Sequence, residues 1–222
     1  MPRSARVDVG GQIYHVINRA ARRLQIFNTP ADYLLFLKLI RDAQELTSIQ
    51  VLAYCVMPNH WHLLLCTKDD GDLSLFMHAL TNSHTRMVHT LTKTVGTGPL
   101  YQGRYKSFLV EEDVHFVAVL KYIERNAVRA NLSLRAEEWR WGSAWLRFYG
   151  TQTQKELLAD SPVALPSDYV VWVNTPDKEA NIQSIRGSVN KGTPYGSMMW
   201  VEQMVDKHKL KTTTRGAGRP RE

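Results

Sequence analysis

Along residues 11–19 apolar and polar positions alternate, with Ile13, His15 and Ile17 on one side, and a period of two predicts a strand. The period then lengthens. Tyr33, Phe36, Leu37, Ile40 and Ala43 recur at spacings of three and four, and Thr29, Pro30 and Asp32 supply a cap, a first helical position and an acid in the first turn. Two apolar runs, residues 51–57 and 61–66, flank the turn dipeptide Pro58-Asn59 and predict a hairpin of two strands. Residues 72 to about 92 read as a second amphipathic helix, with Leu73, Phe76, Leu80, Met87 and Leu91 on one side and His78, Asn82, Thr85 and His89 on another. Residues 104–110 alternate like a strand. Residues 113–129 then form a helix whose apolar stripe is Phe116, Leu120, Ile123 and Ala127.

The order strand, helix, strand, strand, helix, strand, helix predicts an α+β fold: a ferredoxin-like, mainly antiparallel sheet with helices on one face. Residues 1–150 form this domain. The aromatic cluster Trp139, Trp141, Trp145, Phe148 and Tyr149 serves chiefly as packing, with base stacking as the alternative. Beyond Gly150 the periodicity fades, so 151–168 reads as a linker, 169–173 and 179–185 as short elements, and 192–210 as the lead into a last helix. Residues 151–222 are thus a linker and a basic C-terminal extension.

Composition narrows the class. With 222 residues and 44% hydrophobic content the chain can bury a real core. Its formal charge is +7, and residues 206–222, with six Lys/Arg against two acids, carry +4 of it. That balance favours polyanions as partners. The two cysteines flank the hairpin out of register, Cys66 lying roughly opposite Val51, so no disulfide is expected. No apolar run reaches the length needed to cross a bilayer, and a soluble, cytoplasmic, nucleoid-associated protein with no membrane contact is expected.

Candidate chemistry centres on the hairpin. On a strand His60 and His62 point the same way while Trp61, Leu63 and Leu65 point into a core. Two neutral imidazoles can chelate a divalent metal. The alternative is a pair of ordinary polar residues beside a turn. On the helix, His115, Tyr122, Asn126 and Arg129 share a side away from the apolar stripe, which would carry a hydroxyl and an amide to the histidines. His15 is expected to be structural. The polar set on the second helix lacks a carboxylate and is read as a wet or nucleic-acid-facing surface.

The segments Met57-Pro58-Asn59-His60-Trp61-His62, Gln102-Gly103-Arg104-Tyr105-Lys106, Tyr122-Ile123-Glu124-Arg125-Asn126-Ala127-Val128-Arg129-Ala130 and Trp139-Arg140-Trp141-Gly142-Ser143 together resemble the single-tyrosine transposases with a His-hydrophobic-His motif. Within these the chain is most similar to the REP-associated branch, over most of residues 11–150. Where that branch commonly has a proline after the asparagine, this chain has Ala127, and a continuous helix is expected there. The resemblance implies Tyr122 as nucleophile and His60, His62 and Asn126 as ligands of Mg²⁺ or Mn²⁺. It implies cleavage and rejoining of single-stranded DNA beside hairpins of repetitive extragenic palindromes, through a 5′-phosphotyrosine. A phenol with its ordinary pKa of about 10 needs help to lose its proton. Candidate DNA contacts are Arg19, Arg22, Gln102, Arg104, Lys106, Arg125 and Arg129, with Arg215, Arg219 and Arg221 of the tail resembling arms that enter a minor groove.

Two other readings stand beside this one. The first is a catalytically inactive hairpin-DNA-binding regulatory protein; the second is a metal-dependent hydrolase that uses the histidines to activate water. The appended C-terminal region fits a monomer, whereas simple relatives form homodimers with shared sites.

Overall fold

The computed structural model describes residues 7–214, so Arg215, Arg219 and Arg221 lie outside the described residues. Four strands, β1 (Ile13–Arg19), β2 (Gln50–Met57), β3 (His60–Cys66) and β4 (Lys106–Val110), form one antiparallel sheet in the order β2-β3-β1-β4. That is the order of a split βαββαβ unit. Its two helices, α1 (Pro30–Glu45) and α2 (Asp72–Leu91), pack on one face against Trp61, Leu63 and Leu65 of β3 and Tyr14 and Val16 of β1. The expected α+β sheet is therefore present. A third helix, α3 (Val114–Glu124), covers the opposite face, where Phe116, Val119, Leu120 and Ile123 meet Ala53, Cys55, Leu64 and Phe108.

Local sequence explains the starts and stops. Asp32 accepts the amides of Asn28 and Thr29 at 2.8 Å, satisfying donors that α1 leaves open. Asp113 accepts the amide of His115 and caps α3 in the same way. The expected continuous helix over 113–129 is broken: Arg125, at φ −86° and ψ 4°, separates α3 from the single turn α4 (Asn126–Arg129). Removing a proline therefore did not make the helix continuous. Met87 and Leu91, expected in the core, are exposed, because the buried stripe of α2 runs through Leu73, Phe76, Met77, Leu80 and His84 and leaves the sheet after that.

Both sheet edges are sealed by later chain. Along β2, the edge strand, the pairing with β3 shifts register between Val51 and Ala53, and the outer backbone groups have no strand partner. Trp141 accepts the amide of Val56, the Trp139 indole donates to the Val56 carbonyl at 2.9 Å, and Arg147 of α5 (Ser143–Tyr149) donates to the Leu52 carbonyl. The shift moves Cys66 from Val51 to Gln50, while Cys55, on the turn side of it, faces His62; both cysteines are free. Along β4, Tyr195 exchanges backbone hydrogen bonds with Leu109 and Glu111. Between these seals run α6 (Gln152–Lys155), α7 (Tyr169–Asn174) and α8 (Glu179–Lys191), with α9 (Met198–Lys207) and α10 (Lys211–Thr214) following.

One buried polar knot ties these parts together. Glu124, at the end of α3, accepts Ser143 Oγ at 2.6 Å, Arg147 Nε at 3.3 Å and the Tyr169 hydroxyl. A buried charge is tolerated only when its lone pairs are this fully met. Replacing Arg147 by Ala removes the carboxylate's cation and leaves the Leu52 carbonyl unmet, a loss expected to cost about 3 kcal/mol in urea unfolding. Adding Glu124→Leu to Arg147→Ala should recover the part of that loss due to the unpaired carboxylate, the Leu52 carbonyl staying unmet. A double variant no more stable than the single one would contradict this account.

Candidate active site

β3 carries the site because its neighbours fix its faces. Ile17 of β1 and Cys55 of β2 stand opposite His62, while Arg19 and Met57 stand opposite His60. His60, His62 and His15 thus lie on the α3 face, and Trp61 lies on the other. The rings of His60 and His62 are 5.3 Å apart between centroids. Tyr122 comes down from α3 with its ring centroid 6.0 Å from that of His62 and 6.2 Å from that of His15. Nucleophile candidate and histidines belong to one chain and meet within it. Asn126 follows on α4, one turn on, buried, with its Nδ2 unpartnered.

Hydrogen bonds decide which ring nitrogens are free. Asn59 Nδ2 donates to the Arg23 carbonyl at 3.3 Å, which turns its Oδ1 to His60 Nδ1 at 2.7 Å. An oxygen acceptor there makes Nδ1 the protonated nitrogen, so Nε2 of His60 presents a lone pair. His62 Nδ1 lies 2.8 Å from His15 Nε2. When His62 donates in that bond its Nε2 is likewise a ligand. Burial lowers the pKa of His60 to about 4, with Arg19 adding to the effect, and holds His62 well below its ordinary value. Both rings are neutral at pH 7, as metal coordination requires.

Arg129 packs against Tyr122. Its guanidinium lies 4.1 Å from the Tyr122 ring centroid, one arm donates to the Tyr122 carbonyl, and Nη1 is buried without a partner. That enclosed arm is a cationic donor without a protein acceptor beside the tyrosine.

The other expected contacts are distributed unevenly. Arg19 is half-buried beside His60, while Arg22, Gln102, Arg104 and Lys106 are exposed. Arg104 shares a groove with Asn18, His78 and Asn82, so the polar side of α2 faces the same space as a cation. Arg125 does not reach that surface. It is buried, donating to the Val173 carbonyl at 2.9 Å, and its Nε is 3.7 Å from Asp177.

Two groupings were not visible in the sequence. His15 had the right face but no sign of its partner, since strand pairing alone brings it to His62. Glu111, Asp113 and His115 lie close enough for a cation, but Asp113 caps α3 and Glu111 accepts the Ser197 amide and hydroxyl. That cluster is accounted for by its structural duties.

The model of the IS200-like transposases matches residues 8–126, more than half of the chain and all of the sheet with its paired histidines and tyrosine. The chain belongs to this family. No curated protein matches it. Among solved structures, a REP-associated tyrosine transposase bound to a REP hairpin is 16% identical, with a TM-score of 0.55 over 76% of this chain and 93% of that one. At that identity the likeness establishes the shared fold. A second, titled a "putative transposase" from Deinococcus radiodurans, is 24% identical over 56% of this chain and 97% of that one, and its TM-score of 0.39 carries no argument. Among the described residues no helix is long and apolar enough to cross a membrane.

Burial of neutral histidines makes stability pH-dependent. His15 is held at about 3 and His60 and His84 at about 4, against 6.5 in an unfolded chain. Between pH 6.5 and 4 the unfolded state takes up protons that the folded state refuses, so stability is complete above 6.5 and falls as pH drops. Each such ring contributes a slope on the order of 1.4 kcal/mol per pH unit. The melting temperature should decline steadily from pH 6.5 to 4, and a flat profile would contradict the burial of these histidines in neutral form.

Proposed function

We propose that this IS200-like transposase cleaves and rejoins single-stranded DNA beside hairpins of palindromic repeats, through a covalent bond to Tyr122. The observation that carries the reading is the meeting of Tyr122 with His62, in a chain whose two strand histidines each can offer Nε2. In the reaction the Tyr122 oxygen forms a bond to the scissile phosphorus and the bond to the 3′ oxygen breaks. The tyrosine loses its proton and the departing oxygen takes one up. The 5′-phosphotyrosine keeps the energy of the original ester, so a 3′-hydroxyl can reverse the step without ATP.

A divalent metal, Mg²⁺ or Mn²⁺, fits the donor set of His60, His62 and the Asn126 amide oxygen, and when bound it would supply charge neutralisation on the phosphate. The rest falls to the chain. His60 and His62 would hold that metal through Nε2, Arg129 contributes positive charge beside Tyr122, and the Arg19 side of β1 extends the positive field. Arg22, Gln102, Arg104 and Lys106, all exposed, hold backbone phosphates in this reading, and the basic tail adds non-specific affinity. Kinship with the REP-associated branch rests on the shared fold and the residues around His60, Tyr122 and Trp141. Because tyrosine and histidines come from the same chain, one protomer suffices for a cleavage.

The direct test is a denaturing gel with a labelled single-stranded hairpin and Mn²⁺. Wild-type protein should give a covalent adduct and Tyr122→Phe none, a loss of at least about a thousandfold in rate, as expected for removing a nucleophile. DNA that is bound but never joined to wild-type protein would favour an inactive hairpin binder. Cleavage surviving in Tyr122→Phe would favour a hydrolase.

A second test concerns His15. Where His62 is the donor in its bond to His15, Phe at position 15 removes the acceptor that keeps the His62 proton on Nδ1, and Mn²⁺ affinity measured by electron paramagnetic resonance should fall about 10- to 100-fold. Unchanged affinity with an intact fold would remove His15 from the site.

A further inference from the structure

On the α1 side of the sheet, near its β2 edge, α1 and α5 leave a recess of about 240 Å³ between them. Its buried members are aromatic or aliphatic: Tyr54, Trp141, Leu146 and Leu157. Trp145 of α5 is half-buried beside them, and Leu34 of α1 is 51% exposed. The apolar surface does not stop there. Phe148 and Tyr149, three and four residues on from Trp145 along α5, are exposed, and the Tyr149 ring lies 6.2 Å from that of Trp145 between centroids. A contiguous exposed patch of this kind marks a surface that binds something.

Charge says what kind of thing. Three cations line the recess, Lys38, Arg41 and Arg140, and no acid does. Lys38 is paired with Asp42 at 2.6 Å. The two arginines are held in place without a carboxylate. The Arg140 guanidinium lies 5.2 Å from the Trp141 ring centroid and 5.8 Å from that of Trp145, and Arg41 donates to the Thr153 carbonyl at 3.2 Å. Among the described residues neither forms an ion pair. Ring contact and a backbone bond fix a guanidinium while leaving N–H groups for a planar anion such as a carboxylate.

The chain's own ends do not suit this surface. Residues 1–6 carry Arg3 and Arg6, and residues 215–222 carry three arginines against one acid, so both would meet like charge. The recess also packs with the α1 side of the core, whereas Tyr122 belongs to the α3 side, so the sheet separates it from the nucleophile. A nucleobase would bring polar edges that walls of leucine and tryptophan leave unmet. Tryptophan and arginine around an apolar pit are instead the residues that dominate protein interfaces.

We propose that this recess docks an acidic peptide segment of another protein, one bulky apolar side chain seated against Trp141, Trp145 and Leu157 and a neighbouring carboxylate held by Arg140 and Arg41. A partner bound there leaves the histidine side of the sheet open. The proposal is independent of the reaction assigned to Tyr122.

The test selects a phage-displayed library of random peptides on the purified full-length protein, with Arg140→Glu protein as the counter-target. Recovered sequences should share a bulky apolar residue flanked by Asp or Glu. A labelled peptide of that sequence, followed by fluorescence anisotropy, should bind about tenfold or more weakly to Arg140→Glu and to Leu34→Glu, the size of losing one interface anchor. Both positions are exposed, and a melting temperature equal to that of wild type shows that each variant keeps the fold. No enriched peptide, or peptides held equally by wild type and both variants, would overturn the proposal. So would displacement of the peptide by oligothymidylate, which makes the surface a nucleic-acid patch, or a wild-type dimer in sedimentation that Leu34→Glu dissolves, which gives the recess to a second copy.

Discussion

Everything in this molecule depends on β3 serving two faces at once. Its side chains alternate, so His60 and His62 reach one side while Trp61, Leu63 and Leu65 fill the core on the other. A slip of one residue would bury the imidazoles among Phe36 and Leu80 and turn the tryptophan to the α3 face. Register is therefore fixed by burial, with Trp61 as the largest fully buried side chain and its indole hydrogen-bonded to Tyr101. The same packing that makes the strand stable aims the site.

With the faces fixed, α3 can bring chemistry to the strand. Its apolar positions sit on Ala53, Cys55 and Leu64, and this leaves Tyr122 over His62 and His15. Burial keeps the three histidines neutral, so that their geometry is set by hydrogen bonds rather than by charge repulsion. Arg129, stacked on the Tyr122 ring, supplies the fixed positive charge near the site.

The later chain is not a passive appendage to this sheet. Trp139, Trp141 and Arg147 close the β2 edge, and Tyr195 closes the β4 edge. Exposed edges invite pairing with other chains, and covering them leaves only side-chain surfaces for partners. Glu124, two residues beyond Tyr122, is gripped by Ser143, Arg147 and Tyr169. The end of the tyrosine helix is therefore anchored by segments that follow it in the chain. Lys121 and Arg125 reinforce the anchor through Asp177.

Short-range pattern determined the elements. The alternation around Ile13, the cap at Thr29 to Asp32, the turn at Pro58-Asn59 and the stripe through Phe116 and Ile123 were all legible, because each is written within a few residues. So was the likeness of the stretches around His60, His62 and Tyr122 to one family, and the model of the IS200-like transposases matches residues 8–126. The tertiary structure decided what depends on partners distant in sequence. Arg125 looked like an exposed cation and is buried by Val173 and Asp177; His84 lay outside the expected stripe and became its last buried member. His15 found His62 through the pairing of β1 with β3, 47 residues apart. Side-chain periodicity follows from backbone geometry and is local, whereas hydrogen-bond partners and burial are set by which surfaces meet, and no single segment contains that information.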